Sequence, residues 1–401
     1  MTEYSFGNFT VQGFRGGAIK SGIRGKDRLD LALIVSDKPA VAAGVFTTSQ
    51  VKAAPVVLGY ERLKKGKAQA ILVNSGIANA CTGEEGMRNA KLTAAMAADA
   101  LGIAEELVQV SSTGVIGMQL EVECFRFGIP KLAGRLSPDA LGEVALAMMT
   151  TDTVPKTAVR EFIVAGRPVK LVGMAKGAGM IMPNMATMLC YLLTDAAVEQ
   201  ETLQAMLRQS VAQSFNIITV DGDTSTNDTV LILANGKAGN AMIDTASPEC
   251  ALFQQQLDEI CRELALKIVR DGEGATKLVT VRVNGAPSKA AAEQAARTIA
   301  NSNLVKTAFF GEDANWGRII AALGRSGVIF DAEKVSIAFD AVVMVENGIG
   351  RGREVEAAAT KVLKQKDFTV TVDLHGGDGW AEIFTCDFSL EYVTINADYR
   401  T

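Results

Sequence analysis

The chain has 401 residues, 48% of them hydrophobic and 21% charged, enough to bury a large core in two lobes or one large α/β unit. Its formal net charge is −5, from 45 acidic and 40 basic residues, which leaves no electrostatic footprint for nucleic acid. No apolar run approaches a membrane span, and Met1-Thr2-Glu3-Tyr4-Ser5 lacks the basic and apolar regions of a signal peptide, so a soluble cytoplasmic protein is expected.

Residues 29–36 and 41–48 read as strand-like segments separated by a turn, and 67–74 as a further strand ending in Asn74-Ser75-Gly76. Gly86 to Gly102, rich in Ala and Met, predicts a helix. Val108 to Ser112 is a short strand running into Thr113-Gly114, where a glycine backbone can approach a ligand closely. Ser137-Pro138 supplies an N-cap and a first-turn proline for a helix with Leu141, Val144 and Met148 on its apolar stripe. Thr150-Thr151-Asp152 follows. Lys176-Gly177-Ala178-Gly179 and Pro183 then read as a turn, and Met188 to Leu193 as a strand buried on both faces. Thr187 sits on that junction. Val198 to Phe215 predicts an amphipathic helix and Ile217 to Val220 a strand. Ser247-Pro248 opens a longer helix with Phe253, Leu257, Ile260, Cys261, Leu264 and Ile268 on one face. It stops at Asp271-Gly272-Glu273-Gly274. Beyond about 278 come a strand at 278–283, a helix near 288–301, a strand at 306–310, a helix from Trp316 to Leu323, and four strand-like runs from 334 onward. These suggest a second α/β lobe at about 278–390. Strands and helices without strict alternation predict an α+β layered fold.

The candidate chemistry is sparse. The six cysteines, at 81, 124, 190, 250, 261 and 386, form no C-x-x-C pair, so neither a zinc site nor a disulfide framework is expected. The one histidine, His375, lies in a glycine-rich stretch between two strand-like runs and reads as a hairpin turn. Asp221-Gly222-Asp223-Thr224-Ser225 begins like a calcium loop, but Thr226 stands where glycine is needed and Ile232 where a bidentate Glu is needed. A threonine hydroxyl can attack the carbonyl of the residue before it, turning the peptide into an ester that water splits. At Ala186-Thr187 this would leave Thr187 as a new N-terminus, whose α-amine, with a reference pKa of roughly 7.7–8.0, can act as base for its own hydroxyl. Thr187 also suits a plain strand residue. Thr113-Gly114 reads either as an oxyanion hole or as an ordinary strand-to-turn transition. Lys176 alone reads as a solvated loop cation, and Glu273 as an exposed carboxylate at a helix end.

The stretch Lys176-Gly177-Ala178-Gly179-Met180 followed by Pro183-Asn184-Met185-Ala186-Thr187-Met188-Leu189 resembles the self-cleavage signature of the ornithine acetyltransferase family, glutamate N-acetyltransferases that are often bifunctional. The resemblance extends through Asn74-Ser75-Gly76, Ser112-Thr113-Gly114-Val115-Ile116-Gly117, Thr150-Thr151-Asp152-Thr153, the block from Asp221 to Asp228, and Asp313-Ala314-Asn315-Trp316-Gly317-Arg318. It departs at Ile77, where the family more often has Asn, and at Met118-Gln119-Leu120-Glu121, which lacks a common proline.

What the resemblance implies is specific. The fold is a layered α/β sandwich of the self-cleaving acetyltransferase and aminopeptidase type. The chain cuts between Ala186 and Thr187 into an α chain, 1–186, and a β chain, 187–401. Thr187 is the nucleophile, and Thr113 and Gly114 form the oxyanion hole. Thr150, Lys176, Thr187, Glu273, Asn396 and Thr401 contact substrate. Acetyl passes from N-acetylornithine to Thr187, releasing ornithine, and then to glutamate, in arginine biosynthesis. No metal or redox cofactor is implied, acetyl-CoA is a second donor in bifunctional members, and two cleaved heterodimers form a heterotetramer. The alternative is a self-cleaving aminopeptidase or amidohydrolase with water as acceptor.

Overall fold

In the computed structural model, which describes residues 4, 6–25, 27–182 and 188–397, the chain falls into two units. One comprises Met1–Asn216 with Asp223–Ile268, the other Ile217–Gly222 with Val269–Thr401. The expected site residues at 183–187 and at 401 lie outside the described residues.

The first unit is built on an eight-stranded sheet. Its strands are β1 (Phe14–Ile19), β2 (Leu31–Phe46), β3 (Lys67–Ile77), β4 (Val108–Val115), β5 (Lys156–Val164), β6 (Arg167–Lys176), β7 (Leu189–Thr194) and β8 (Thr229–Ala234). They lie in the order β4-β3-β2-β8-β7-β6-β5, with β1 beside β2. The helices are α1 (Ala54–Leu63), α2 (Gly83–Leu101), α3 (Val122–Ala133), α4 (Leu141–Ala147), α5 (Gln200–Ala212) and α6 (Cys250–Arg270).

The two strand-like segments at 29–36 and 41–48 are a single strand, β2. Its exposed Asp37-Lys38-Pro39 stretch is absorbed as an irregularity between Val35 and Ala40 rather than as a chain reversal. The first half of β2 pairs with β1 and β3, and the second half with β8. Alternate residues therefore serve two cores. Leu31, Leu33 and Leu72 cluster with Ala94 of α2 and Phe125 and Ile129 of α3. Ile34, Tyr191 and Leu231 cluster with Leu141 and Val144 of α4. Every residue of β7 is buried, as its unbroken apolar run predicts.

The second unit carries a six-stranded sheet of β9 (Leu278–Ala286), β10 (Ser336–Phe339), β11 (Val342–Glu346), β12 (Ile349–Gly350), β13 (Asp367–Asp373) and β14 (Gly379–Cys386), in the order β12-β11-β10-β13-β9-β14. Its helices are α7 (Lys289–Ala300), α8 (Asn303–Phe310), α9 (Trp316–Gly324), α10 (Arg353–Leu363) and α11 (Leu390–Ala397). Val281, Val283, Ala292, Ala296, Val370 and Ile383 are among the residues of its core.

Three sequence expectations are corrected here. Residues 306–310 are helical, within α8, because Val305, Ala308 and Phe309 recur at helical spacing and face inward. A short apolar run cannot by itself be told from a buried helix turn. Residues 217–220 form no ladder: a 3-10 turn at Phe215–Ile217 is followed by one isolated bridge, Ile218 to Phe384. His375 sits at φ +48° in the connection between β13 and β14, which is not the expected hairpin: the two strands flank β9, one parallel and one antiparallel to it, instead of pairing with each other. Mixed helices and sheets without strict alternation make the fold α+β.

Candidate active site

The expected oxyanion-hole pair lies at the C-terminal end of β4, whose parallel partner is β3. Thr113 is opposite Ser75 and Gly114 opposite Gly76. The strands approach so closely there that a Cβ on Gly114 would fall 2.2 Å from the carbonyl carbon of Gly76. With φ at +134°, Gly114 is a position only glycine fills without strain. Thr113 is almost fully buried. Its Oγ1 accepts a hydrogen bond from Lys176 Nζ at 3.2 Å. A hydroxyl that accepts from an ammonium keeps its own hydrogen to donate, and the adjacent positive charge favours an oxygen anion in that position.

Lys176 is not a solvated cation. It is the last residue of β6, 3% exposed, and pairs across the sheet with Leu189, two residues beyond Thr187 in sequence. Asp152 ties this strand end to the loop carrying Thr150. Its Oδ1 accepts from Gly177 N at 2.7 Å and from Lys156 Nζ at 2.6 Å, while its Oδ2 accepts from Thr150 N at 2.9 Å. One carboxylate thus fixes the backbone at Thr150 and at Gly177, the residue after Lys176. Burial opposes the charge on Asp152, but Lys156 and Lys176 outweigh it, together with the bonds from Lys156 and Gly177, and hold the carboxyl down at about 2. Among the described residues, two lysines and one ionised aspartate leave a net positive charge in a dry setting. That environment suits a carboxylate or a developing oxyanion.

A second carboxyl in this unit behaves in the opposite way. Asp228 precedes β8 and is 1% exposed. Its Oδ1 accepts from Met188 N at 2.9 Å, and its Oδ2 has no hydrogen-bond partner among the described residues. The neighbouring Thr47 hydroxyl donates to the Ser225 carbonyl at 2.9 Å. Burial pushes the Asp228 carboxyl well above the usual range, against smaller opposing effects of the Met188 N–H, Lys176 and the neighbouring Thr47 hydroxyl. The residue before it, Asn227, donates from Nδ2 to the carbonyls of Ala78 and Ser112 at 2.7 and 2.8 Å.

In the second unit, Glu273 is also not an exposed helix-end carboxylate: it is 6% exposed. Its Oε2 accepts from Asn396 Nδ2 at 2.7 Å, so two expected substrate-contacting residues are directly bonded to each other. Asn396 lies on α11, and its Nδ2 also donates to the Tyr392 carbonyl at 3.0 Å. Ser389 Oγ donates to the Gly274 carbonyl at 2.6 Å and anchors the turn after Glu273.

Thr113, Gly114, Thr150 and Lys176 belong to the first unit, and Glu273 and Asn396 to the second. Ala186, Thr187 and Thr401 lie outside the described residues. Sequence reasoning missed Asp152, Lys156, Asn227 and Asp228 as site-building residues. Asp152, Asn227 and Asp228 fall inside motif blocks that carry the family resemblance, which is the signal that was available. Lys156 has none, since a lysine opening a strand reads as surface. Among the described residues, no group of three or more His, Cys, Asp or Glu could hold a metal ion. No helix among them is long and apolar enough to cross a membrane.

A buried Thr-Gly pair near the end of β4, bonded to a buried lysine at the end of β6, is a setting suited to acyl transfer. The chain belongs to the ArgJ family, whose model matches residues 15–401. The Arginine biosynthesis bifunctional protein ArgJ of Desulfotalea psychrophila is 55% identical over 391 residues, covering 98% of this chain and 100% of that protein. The protein of the same name from Geobacter sulfurreducens is 53% identical over 391 residues, with 98% and 100% covered. The crystal structure of the Arginine biosynthesis bifunctional protein argJ from Bacillus halodurans is 42% identical, with a TM-score of 0.48, and covers 51% of this chain and 95% of that one.

Proposed function

We propose that this chain is an acetyltransferase of arginine biosynthesis that carries acetyl from N-acetylornithine to glutamate through an ester on Thr187. The observation that carries the reading is the Lys176–Thr113 hydrogen bond beside Gly114, at the strand end that pairs with Leu189. Membership of a family whose named relatives are arginine-biosynthesis bifunctional proteins supports it.

The chemistry runs in two phases. In processing, the Thr187 hydroxyl adds to the Ala186 carbonyl, the C–N bond breaks, and the Thr187 nitrogen takes up a proton. Water then cleaves the resulting ester, releasing the Ala186 carboxylate and restoring the Thr187 hydroxyl beside its free α-amine. In turnover, that amine removes the hydroxyl proton as Thr187 attacks the acetyl carbonyl of N-acetylornithine. Thr113 and the Gly114 backbone stabilise the oxyanion, and ornithine leaves as the amine after protonation. The glutamate amine then attacks the acetyl ester and departs as N-acetylglutamate, returning the proton to Thr187. Thr150, Lys176, Glu273, Asn396 and Thr401 bind the amino-acid ends of these substrates, with Lys176 suited to a carboxylate and Glu273 to an ammonium. Acetyl-CoA serves as a second donor in the bifunctional form of this reading. The working assembly is a pair of cleaved heterodimers in the cytoplasm.

The test is a denaturing gel with intact masses, beside an assay of acetyl transfer. The parent chain should give fragments 1–186 and 187–401. Thr187→Ala should remain one chain without transfer, and Thr187→Ser should still cut. Two fragments from Thr187→Ala would place the nucleophile elsewhere. Release of acetate without N-acetylglutamate would assign the hydrolase alternative instead.

A further inference from the structure

The segment ahead of β8 is held more tightly than a strand entry requires. Thr47 N donates to the Asp228 carbonyl at 3.0 Å, Asn227 N to Ser225 Oγ at 3.0 Å, and Ala53 N to the Thr226 carbonyl at 2.9 Å. Thr226 Oγ1 donates to Asn227 Oδ1 at 2.5 Å, and Thr229 Oγ1 to the Asn227 carbonyl at 3.0 Å. From this fixed base two adjacent side chains reach in different directions. Asn227 binds the carbonyl of Ser112, the residue before Thr113. Asp228 binds the N–H of Met188, the residue after Thr187.

Met188 is in fact held at both backbone groups. Asp228 Oδ1 takes its N–H, and the Thr229 N–H donates to its carbonyl at 3.0 Å. The parallel ladder of β7 and β8 begins only at Leu189 and Thr229, so it does not supply the first of these contacts. Met188 is the residue that follows Thr187 in the chain, so these two bonds hold the first described residue after the proposed nucleophile. On the opposite side, the Ser112 hydroxyl donates to Asn74 Oδ1 at 2.7 Å and Asn74 Nδ2 to the Ile77 carbonyl at 3.0 Å, which ties the end of β4 to the end of β3. The Asn227 amide closes this network.

We propose that Asn227 and Asp228 are positioning residues that register the strand of the nucleophile against the strand of the oxyanion hole. This rests on the reading of Thr187 and of Thr113-Gly114 given above. Asp228 works through the acceptor Oδ1, not through ionisation. Burial raises its carboxyl well above the usual range, which disfavours the charge, and Oδ1 is the atom that meets the Met188 N–H. An aliphatic side chain of the same size would leave a buried N–H without an acceptor, whereas an amide oxygen would not.

The experiment compares Asp228→Ala, Asp228→Asn and Thr187→Ala for rate of self-cleavage by intact mass, and, once cut, for kcat and KM in acetyl transfer to glutamate. Asp228→Ala should cleave and turn over slower by about 10²-fold, the scale of a small misplacement of reacting groups, with KM for both substrates unchanged. Asp228→Asn should restore both rates, since it keeps shape and acceptor. Asn227→Ala should lower kcat in the same way without raising KM. Parent-like cleavage by Asp228→Ala would overturn the proposal. So would an Asp228→Asn chain of parental thermal stability that is as slow as Asp228→Ala, because ionisation would then be the property in use. If Asp228→Ala fails to fold, the Asn variant alone still decides. Should Thr187→Ala still cut itself, the nucleophile reading fails and the proposal falls with it. If Thr187→Ala stays whole while Asp228→Ala cuts normally, only the positioning role falls.

Discussion

Asp152 and Asp228 are both buried in the first unit, yet their carboxyls are shifted in opposite directions. Around Asp152, an ammonium and two backbone N–H groups converge on the carboxylate, which stays ionised down to about 2. Around Asp228 a single backbone N–H does, and the carboxyl is driven upward. Burial weighs on both charges. The number and charge of the donors decide which survives it. At this one end of the sheet the β5–β6 strand ends hold fixed charge, while the entrance to β7 and β8 holds a carboxyl whose charge burial disfavours.

Removing the charge at Asp152 should break this contrast most severely. Asp152→Asn takes the carboxylate away from Lys156 in a buried setting and should cost about 3–5 kcal/mol of stability. Chemical or thermal unfolding measures this, and a loss below about 1 kcal/mol would mean that water or another anion reaches the lysines. Thr113→Ala leaves both aspartates intact and removes the proposed oxyanion donor. It should lower the transfer rate by about 10²–10³-fold without a comparable loss of stability. Full activity in that variant would take Thr113 out of the mechanism and leave Lys176 with a purely structural partner.

The pH dependence of stability sharpens the contrast directly. The folded-state value of Asp152 is depressed, so its contribution is present above the unfolded value near pH 4 and is lost as pH falls toward about 2. That contribution is on the order of 2 kcal/mol. Asp228 has the reverse sign: its stabilisation is present below about pH 4 and is lost as pH rises through its elevated value. Thermal midpoints from pH 3 to 8 should therefore show Asp228→Asn gaining on the parent chain as pH rises. A constant offset between the two across that range would show the Asp228 carboxyl to be ionised when folded.

The smallest expected effect lies in the second unit. Glu273→Gln keeps an oxygen for Asn396 while removing the charge. If Glu273 receives the cationic side chain of ornithine, KM for ornithine in the reverse reaction should rise by about tenfold, the value of one charge-assisted hydrogen bond. Self-cleavage should be unchanged. An unchanged KM would remove that role, and a block in cleavage would make Glu273 part of the processing machinery.

Sequence alone determined the elements whose pattern has one physical solution. The unbroken apolar run after Thr187 could only be buried on both faces, and β7 is. Motif order determined the family and marked Thr113, Gly114, Lys176 and Glu273 as worth weighing. Tertiary structure decided what periodicity leaves degenerate. It joined two apparent strands into β2, because a neighbour on each half of the strand makes extension across Asp37-Lys38-Pro39 worthwhile. It made 303–310 helical, because Val305 and Phe309 join the core of the second unit. It also set the Asp152 and Asp228 carboxyls apart. Lys176 and Glu273 read locally as surface residues, and their burial follows from which strand and helix ends pack beside them. The roles of Lys156 and Asp228 arise from partners 4 and 40 residues away in sequence, Asp152 and Met188. No local pattern specifies such pairs, because desolvation and donor count are properties of the folded neighbourhood.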